Sequence, residues 1–468
     1  MDAKEIRQRY SDYFQKLGHQ KISSSPLILR DDPTTLFTSA GMQPLLPYLL
    51  GQPHPQGTRL TDVQPCFRSQ DLADVGDPRH TTFFEMLGNW SLGDYFKEEQ
   101  IQWFFNFLVD EVGLDPQRLY VTAFAGNDEY GIPRDDEAAQ IWQRLFNERG
   151  IEAQIVEIGD PAVGDERGVN PGERIFLYDD SQNWWSRGGG LADTPIGDPC
   201  GPDSEVFYDF GEDNQDLSFG KAHPASDGGR FMEIGNQVFM QYRRDEDGGF
   251  TPLDNRNVDF GGGLERISAA ALDTPDVFRI SVLWPIIDAL QEISGANYED
   301  ETEAMRVIAD HLRAAVFLAG DGAVPSSKEQ GYVLRRLIRR AVRYARDLGV
   351  DADLFERIVP VIAGIYADSR PHLAEQESEI VATLVKEERA FRRTLGKGLQ
   401  EFRKHAAGGL SGAEIFTLYD TYGFPKELSL EEAERRGVPV AEDWEAQFNE
   451  RMAEQRARSQ GAAKGTHH

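Results

Sequence analysis

Two neighbouring segments near the start of the chain combine basic and aromatic side chains. Arg68 ends one predicted strand, and a second predicted strand begins near His80 after a short loop. A guanidinium at a strand end can bind a phosphate or carboxylate through paired hydrogen bonds, and a Phe ring beside it can stack on a purine. The same pattern is also typical of an ordinary hairpin with Phe83 or Phe84 in the core. If the strands pair, alternation places four side chains on one face: His80, Thr82, Phe84 and Met86.

A run of three glycines, Gly261–Gly263, leads into a predicted helix that contains Arg266. Glycine lets the backbone approach a ligand closely, and a helix N-terminus presents unpaired N–H groups. Arg266 would lie in the first turn of that helix and face the glycine strand. The Gly-Lys-Ser/Thr ending of a P-loop is missing, so the segment is not a phosphate loop of that type. An ordinary strand-to-helix turn explains the pattern equally well.

The segment 231–240 has the composition of a strand. Because side chains alternate along a strand, Asn236 and Val238 would lie on the same face. A polar group beside a small apolar one suits a pocket for a small amino acid. A half-buried strand with one isolated Asn explains the same pattern, so both interpretations stay open.

A predicted helix over 331–343 carries several arginines on the side away from its apolar stripe. The chain has a net charge of -30, from 49 Lys and Arg against 79 Asp and Glu. In so acidic a chain, this face is a candidate phosphate-binding surface. The alternative is a solvated face whose charges pair with nearby carboxylates. The arginines are Arg335, Arg336, Arg339, Arg340 and Arg343.

The composition indicates a cytoplasmic globular protein of two or three domains, because 468 residues exceed one ordinary core. No apolar run approaches the roughly 18 residues that a membrane span needs, and the charged N-terminus lacks a signal-peptide apolar stretch. Two cysteines, Cys66 and Cys200, exclude a disulfide framework and a Cys-rich zinc site. The overall acidity argues against nonspecific nucleic-acid binding, so an RNA-binding surface would have to be local.

Hydrophobic periodicity predicts a mixed front part and a helical rear part. The chain begins with a predicted helix over 2–17, which Gly18 would end, and a second helix is predicted over 98–112. The rear part contains a long predicted helix at about 374–404. Strands are predicted over 63–68, 80–87, 119–125, 205–209 and 231–243.

The change in pattern after residue 268 sets the predicted domain boundary. We predict an α+β domain over 1–268 and an all-α domain over 269–460. Residues 461–468 are predicted to be a disordered tail or the remnant of a tag. Gly and Pro are dense over 157–203, and long loops of this kind inside a compact domain are usually functional.

Five strings follow one another in the order found in a known family. They are Leu36–Met42, Arg79–Lys97, Asp259–Arg266, Gln330–Arg336 and Leu418–Pro425. Together they resemble the signatures of the alanyl-tRNA synthetases over nearly the whole chain, and the second string is too long for a chance match. The resemblance implies the class II synthetase fold, an antiparallel sheet flanked by helices and followed by an all-α domain. It also implies an enzyme that activates alanine with ATP and loads it onto tRNA.

The resemblance further implies roles for single residues at an adenylate-forming site. Arg68 would hold the α-phosphate of ATP, Phe84 and Arg266 would enclose the adenine, and Asp259 would bind the substrate ammonium group. Neither reaction step needs a protein nucleophile, so Arg68 and Arg266, with Mg²⁺, would supply positioning and charge neutralisation. ATP would contact Arg68, His80, Phe84, Met86, Gly263 and Arg266, and alanine would contact Met42, Asp71, Trp185, Asn236, Val238, Asp259 and Gly261.

The rear helices resemble the family's tRNA-recognition part, which reads a G·U pair in the acceptor stem of tRNA(Ala). Asp420 matches one base-reading residue, whereas Ser327 stands where the family usually has Asn. Gly235 replaces a Trp found in many members, and the loop between Arg68 and Asp71 is shorter than in many bacterial members. The residues expected at the tRNA are Ser327, Arg335, Arg336, Arg339, Arg340 and Asp420.

The family's editing domain, with its His/Cys zinc cluster, and its C-terminal oligomerisation region have no counterpart in this sequence. We therefore expect a monomeric fragment that cannot clear misactivated Ser or Gly. A hydrophobic pocket separates such substrates by only about 1–3 kcal/mol per methylene. The terminal Thr466–His468 is interpreted as the stub of a purification tag.

Two other functions stay open. A synthetase-like paralogue would hand the adenylate to an acceptor other than tRNA, such as a carrier protein or a small metabolite. Ser327 and the negative charge favour it, whereas the arginine helix and Asp420 argue against it. A non-catalytic RNA-binding relative would have lost Arg68, Arg266 or Asp259, and the sequence retains all of them.

Overall fold

The structure, a computed structural model, describes residues 1–30 and 35–465. The chain forms two compact units, Met1–Ile287 and Asp288–His468. The division falls later than the boundary predicted at 268, because the segment after the glycine run still packs on the first unit. The Val277 N–H, for example, donates to the Pro78 carbonyl at 2.9 Å.

Ten strands form the sheet of the first unit within the described residues. They are β1 (Gln20–Lys21), β2 (Arg59–Phe67), β3 (Phe83–Leu92), β4 (Leu119–Phe124), β5 (Gln154–Gly159), β6 (Glu173–Tyr178), β7 (Trp184–Trp185), β8 (Pro199–Asp209), β9 (Phe231–Arg244) and β10 (Phe250–Gly263). Their spatial order is β1-β2-β3-β10-β9-β8-β4-β6-β5, and β7 pairs with β8.

The centre of the sheet, from β2 to β4, is antiparallel. Its two edges are parallel, because β1 runs alongside β2, and β6 runs alongside both β4 and β5. The predicted α+β fold with an antiparallel sheet is confirmed for the centre, while the sheet as a whole is mixed. Strands β2 and β3, which the sequence predicted as a pair, are paired in this centre, and the predicted site residues lie on these central strands.

The helices of the first unit are α1 (Ala3–Lys16), α2 (Leu46–Leu49), α3 (Lys97–Asn106), α4 (Asp136–Glu148), α5 (Pro161–Arg167), α6 (Asp180–Asn183) and α7 (Leu264–Leu272). Helix α3 continues as a π-helical segment, Phe107–Val112, so the helix predicted over 98–112 is confirmed. Helix α7 begins directly after the last glycine of β10, as the glycine run predicted.

Helix α1 shows how local sequence fixes an element against the sheet. Ile6, Tyr10 and Phe14 recur every four residues, so they share one face, and all three are fully buried. Arg7 pairs with the buried carboxylate of Glu85 on β3, with Nη2 and Oε1 2.5 Å apart. The helix predicted over 2–17 is confirmed, and this ion pair ties it to the strand that carries the predicted ATP site.

The second unit is helical, as predicted. Helix α8 (Trp284–Ser294) crosses the division, and the following helices are α9 (Thr302–Gly320), α10 (Glu329–Asp347), α11 (Leu354–Ile365), α12 (His372–Glu375), α13 (Glu377–His405), α14 (Gly412–Tyr422), α15 (Lys426–Arg435) and α16 (Trp444–Gly465). Helix α13 confirms the long helix predicted at 374–404. None of the helices in the described part of the chain is both long and apolar enough to cross a bilayer.

The predicted tail over 461–468 is wrong in its first part. Helix α16 continues to Gly465, because the segment Gly461–Lys464 contains Ala and Lys, which favour helix. Thr466–His468, interpreted above as a tag stub, lies outside the described residues.

Candidate active site

Strand register brings the predicted pocket residues together on one face of the sheet. Gly261 on β10 lies opposite Asn236 on β9. Two residues earlier, Asp259 lies opposite Val238 on β9 and opposite Trp90 on β3. Because alternate residues share a face, these five residues form one continuous patch.

A cavity lies where β10 runs into α7, at one end of this patch. Met86 on β3 lies opposite Gly263, which places the end of the glycine run against the predicted adenine site. The predicted residues on its wall are Arg68, Asp71, His80, Phe84, Met86, Gly261, Gly263 and Arg266. Further wall residues, for which the sequence suggested no role, are Arg79, Thr81, Glu233, Ile234, Gly235, Glu265 and Val277.

Arg68 lies at the end of β2, as predicted. Its guanidinium carbon is 4.9 Å from the centre of the Phe84 ring, and its Nε donates to the Ser39 carbonyl at 3.0 Å. No carboxylate of the described residues forms an ion pair with it. The cation is therefore available to an anionic ligand, with an aromatic face beside it.

His80 does not share a strand face with Phe84, contrary to the alternation argument. Strand β3 begins at Phe83, so His80 lies in the preceding loop, and Thr82 is fully buried. The imidazole Nδ1 hydrogen-bonds the Asp77 carboxylate, whose other oxygen accepts the His80 N–H at 2.7 Å. This carboxylate raises the pKa of His80, which favours a cation at the cavity rim.

Two further arginines, Arg266 and Arg79, lie on the side of the cavity formed by β9. Arg266 Nη1 donates to the Glu233 carbonyl at 3.1 Å, so the side chain crosses from α7 to β9. Arg79 donates to the carbonyls of Phe231 and Gly229 at 2.8 and 3.0 Å. Burial, followed by the nearby Arg266, lowers the pKa of Arg79 to about 10. These cations raise the positive potential that an anionic ligand would meet.

A buried apolar cluster lies on the other part of the patch. Val238, Trp90 and Met240 belong to one buried cluster, and Met42 and Trp185 pack against it half buried. This cluster brings together residues that are far apart in the sequence and matches the predicted wall around a small side chain.

Asp259 is the charged group beside this cluster, opposite Val238 and Trp90. The carboxylate is only 8% exposed, and the Trp90 indole N–H donates to its Oδ1 at 2.8 Å. Burial raises the pKa of Asp259 to about 6, against the lowering effect of the indole. No cation pairs with it within the described ranges. A buried carboxylate of this kind is stabilised by a cationic ligand.

At two positions the neighbouring side chains leave no room for a Cβ atom, so glycine is favoured by space and not by the backbone angles. A Cβ at Gly261 would lie 2.8 Å from Met86 Sδ, and a Cβ at Gly88 would lie 2.3 Å from the Trp90 ring. Any side chain at position 261 would therefore displace Met86 from the cavity wall.

Packing also explains the glycine at position 235, where many members of the family have Trp. A Cβ there would lie 2.6 Å from the Phe104 ring and 3.1 Å from the Phe260 ring. These rings fill the space that a larger side chain at 235 would need.

Comparison with known proteins agrees with this arrangement. Residues 5–468 match the family model described as "tRNA synthetases class II (A)". The alanine–tRNA ligase of Treponema pallidum (strain Nichols) is 40% identical over 454 residues, which cover 94% of this chain and 69% of that protein. The alanine–tRNA ligase of Treponema denticola is 42% identical, with coverage of 98% and 74%.

The chain belongs to the alanine–tRNA ligase family of class II tRNA synthetases. It is therefore an enzyme, an aminoacyl-tRNA synthetase, and the class II fold predicted from the resemblance is confirmed. The alanine–tRNA ligase of Halorhodospira halophila is 39% identical over 475 residues, which cover 99% of this chain and 50% of that protein. The synthetase thus spans between half and three quarters of the length of these relatives.

The helical unit of the synthetase has a cavity at the N-terminal half of α10. Ser327 lines it, together with the aromatic side chains of Tyr332 and Tyr419. Asp420 is exposed next to Tyr419 on α14, and its carboxylate accepts a hydrogen bond from the Gln455 amide of α16. The arginines that line this cavity are Arg335, Arg336 and Arg339.

The prediction that Arg340 binds tRNA is wrong. Its side chain is 4% exposed, and its Nη2 lies 2.9 Å from Glu431 Oε1 of α15. Arg343 is buried in the same way, with Nε 2.5 Å from Glu432 Oε1. Because α15 covers this part of α10, these two arginines hold the helices together.

The other three arginines of α10 that were predicted to bind tRNA differ in their partners. Arg335 and Arg339 both pair with Glu387 of α13, at 3.0 and 2.9 Å. Arg336 has no ion pair with a carboxylate in the described part of the chain. The alternative of a face paired to carboxylates therefore holds for four of the five predicted arginines, and Arg336 alone keeps its charge uncompensated.

Several residues of the site were missed by the sequence argument. Arg79 and Glu265 stand inside the quoted signature strings, so their position was a usable signal. The Glu265 carboxylate accepts the Glu85 N–H at 2.9 Å and so joins α7 to β3. Asp203, which contacts Asn236, had no local signal, because the two lie on neighbouring strands far apart in the sequence.

Proposed function

We propose that this chain activates L-alanine with ATP to form alanyl-adenylate and then transfers the alanyl group to the 3′ end of tRNA(Ala). The observation that carries the proposal is one sheet face on which an arginine-lined cavity adjoins an apolar cluster and the buried carboxylate of Asp259, which has no ion pair in the described residues. A cavity for a polyanion next to a pocket for a small cationic substrate is what adenylate formation from an amino acid requires. Membership of the alanine–tRNA ligase family supports the same assignment.

ATP would occupy the cavity between β3 and α7. The adenine stacks on Phe84 and is enclosed by Arg266 and Met86, while His80 approaches the phosphates. Arg68 now covers the Phe84 ring. A purine stacked on that ring replaces the cation–π contact, and the guanidinium turns to the α-phosphate. Gly263 leaves room for the nucleotide beside Arg266.

Alanine would occupy the pocket around Asp259. Its ammonium group pairs with the buried carboxylate, and its methyl group contacts Val238, Met42 and Trp185. Gly261 leaves space between this pocket and the nucleotide. Asn236 and Asp71 provide the polar edge that meets the remaining substrate atoms.

The first step joins the alanine carboxylate oxygen to the α-phosphorus and releases pyrophosphate. In the second step, the terminal ribose hydroxyl of the tRNA attacks the carbonyl carbon and releases AMP. Arg68 and Arg266 stabilise the negative charge that develops on the α-phosphate, and the two pockets hold the reacting atoms in line. No protein nucleophile is needed in either step.

Glu233 is a carboxylate on the cavity wall, and an oxygen donor of this kind, together with the phosphate oxygens of ATP, would suit Mg²⁺. The ion would neutralise phosphate charge when it is bound with ATP.

The helical unit would bind the acceptor stem. Asp420 and Ser327 would meet the G·U pair, and Arg336 would contact a phosphate near the cavity. Asp420 has to release the Gln455 amide before it can accept a hydrogen bond from a base. Arg335 and Arg339 contribute less, since Glu387 already neutralises part of their charge.

A non-tRNA acceptor is the second candidate for the transfer step. The observation in its favour is that carboxylates pair with most of the arginine face, which leaves less positive surface than the sequence predicted. Such a paralogue would still form the adenylate at the sheet.

The test is ATP–pyrophosphate exchange with each of the twenty amino acids, followed by charging of tRNA(Ala) with and without the G·U pair. We expect exchange to be strongest with alanine and charging to depend on the pair. Exchange without charging would move the assignment to the paralogue. Absence of exchange with every amino acid would refute adenylate formation.

A further inference from the structure

A buried polar group adjoins the pocket proposed for alanine. Strand β8 pairs with β9 so that Asp203 lies opposite Val238 and Glu205 lies opposite Asn236. Both carboxylates therefore share the face of the sheet that carries the pocket. Asp203 is 5% exposed and Glu205 is 6% exposed, and no Lys or Arg pairs with either among the described residues.

Asp203 determines how the Asn236 amide is turned. Asn236 Nδ2 donates to Asp203 Oδ2 at 3.2 Å. Above its raised pKa, the Asp203 carboxylate only accepts hydrogen bonds, and there it selects the NH₂ end of the amide. The other end, Asn236 Oδ1, is buried and has no hydrogen-bond partner in the described part of the chain. An unpaired buried acceptor is costly unless a ligand supplies the donor.

Asn183 on α6 holds Asp203 in this orientation. Its Nδ2 lies 3.1 Å from Asp203 Oδ1 and 3.1 Å from Glu205 Oε1. The same nitrogen lies 2.8 Å from Thr122 Oγ1, which fixes the direction of the Asn183 amide. With Oδ1 engaged by Asn183, Asp203 keeps its Oδ2 for Asn236.

We propose that Asp203 is a positioning residue, which turns the Asn236 amide so that its oxygen, and not its NH₂, faces the ammonium group of the amino-acid substrate. The inference rests on the proposed function, because it assumes that the substrate binds between Asn236 and Asp259. On this face the ammonium meets two acceptors, the Asp259 carboxylate and the Asn236 oxygen. Three hydrogens of an ammonium group are best satisfied by several acceptors.

Electrostatics supports this arrangement. Burial raises the pKa of Asp203 and that of Glu205. With the buried Asp259 and the half-buried Glu233, these groups form an acidic environment, and a bound cation stabilises their charged forms. An amide NH₂ turned toward the same cation would instead be repelled by it.

The test compares alanine and ATP dependence of pyrophosphate exchange in the whole chain and in Asp203→Asn. Because Asn183 still donates to the oxygen at position 203, the new NH₂ would face Asn236 and reverse its amide. We expect the KM for alanine to rise at least about tenfold, as for a lost hydrogen bond to a charged group, with the KM for ATP changed less than about twofold.

Two further variants separate orientation from general packing. Glu205→Gln changes the neighbouring buried carboxylate, whose hydrogen bonds are with Thr122, Gln182 and Asn183 and not with the Asn236 amide, and should change the KM for alanine less than about threefold. The exchanged pair Asp203→Asn with Asn236→Asp again presents an acceptor oxygen to the substrate. It should therefore recover most of the alanine affinity lost in the single variant.

The outcomes distinguish the inference from the function on which it rests. Lack of exchange in the unmodified chain would refute the proposed function itself. Normal exchange with an unchanged alanine KM in Asp203→Asn would overturn the inference alone. If Asp203→Asn does not fold, as judged by its thermal melt, the alanine KM of the doubly exchanged variant becomes the deciding measurement. An alanine KM near that of the unmodified chain supports the inference, and an increase of about tenfold overturns it.

Discussion

The arginines of the sheet and those of α10 occupy opposite electrostatic situations. Arg68 and Arg266 contact an aromatic ring and a carbonyl and have no ion pair with a carboxylate in the described residues. On α10, Arg340 and Arg343 are buried against Glu431 and Glu432. The comparison teaches that a cluster of like charges in a sequence does not show whether the charges are available. Whether an arginine is available to a ligand depends on carboxylates that lie far away in the sequence.

The largest effect should come from the sheet. Arg68→Ala removes the cation expected at the α-phosphate, so alanine-dependent pyrophosphate exchange should fall by about 10³-fold or more. Exchange kinetics measure this, with Arg134→Ala, an exposed arginine of the same unit paired to Asp136, as the control that retains activity. Near-normal exchange in Arg68→Ala would mean that the site assignment is wrong.

Arg340→Ala should act on stability rather than on RNA. It leaves the half-buried Glu431 without its ion-pair partner, although the Tyr344 hydroxyl still donates to it, so the unit should be destabilised by about 1–3 kcal/mol. Denaturant unfolding of the purified variant measures the loss. A variant as stable as the unmodified chain but defective in charging would return Arg340 to the tRNA surface.

Asp420→Ala should affect the charging of tRNA but not the formation of the adenylate. Exchange should stay close to normal, whereas charging of tRNA(Ala) should fall by about ten- to a hundredfold, the range for one lost base contact. Parallel assays on one preparation test this, with the exposed Glu356→Ala on α11 as the control. Equal loss of exchange and charging would contradict a division of labour between the sheet and the helices.

Acid should weaken alanine use through Asp259. Its raised pKa of about 6 means that the carboxylate is charged above that pH and becomes neutral as the pH falls through it. Below the pKa, kcat/KM for alanine should drop by about tenfold per pH unit, because this parameter follows the free enzyme. Exchange profiles between pH 5 and pH 8 (roughly the range where the enzyme stays folded) test it. An Asp259→Asn profile with the same inflection would assign the titration to another group.

Arg336→Ala should have the smallest effect and sharpens the comparison within α10. It removes one expected phosphate contact of a half-buried arginine, so charging should weaken by only about threefold to tenfold, with a shallower salt dependence. Stability should not change, in contrast to Arg340→Ala. Charging at several salt concentrations measures the slope. An unchanged slope would remove Arg336 from the RNA surface.

Much of the fold follows from local sequence. The spacing of Ile6, Tyr10 and Phe14 predicts α1, and the alternation over 231–243 predicts β9 almost to its end. These patterns depend on neighbours in the chain, which is why they are readable without a structure.

The site depended on information that is not local. Strand register sets Asn236 opposite Gly261, and no pattern within either strand specifies it. His80 lies in a loop that is held by Asp77, so alternation did not apply to it. The burial of Arg340 depends on Glu431 of α15, far along the chain. The family resemblance supplied the expected roles of Asn236, Gly261 and His80 where periodicity could not, and it did not reveal the burial of Arg340.

The most direct test of the central claim is a count of adenylate formed per chain without tRNA. The unmodified chain is mixed with labelled ATP, alanine and pyrophosphatase, and the rapid phase of ATP consumption is measured. The account predicts a burst of about one ATP per chain with alanine and none with leucine, since the proposed site would retain the alanyl-adenylate after the first turnover. No burst with alanine, or an equal burst with leucine, would contradict the assignment of the sheet face as an alanyl-adenylate site.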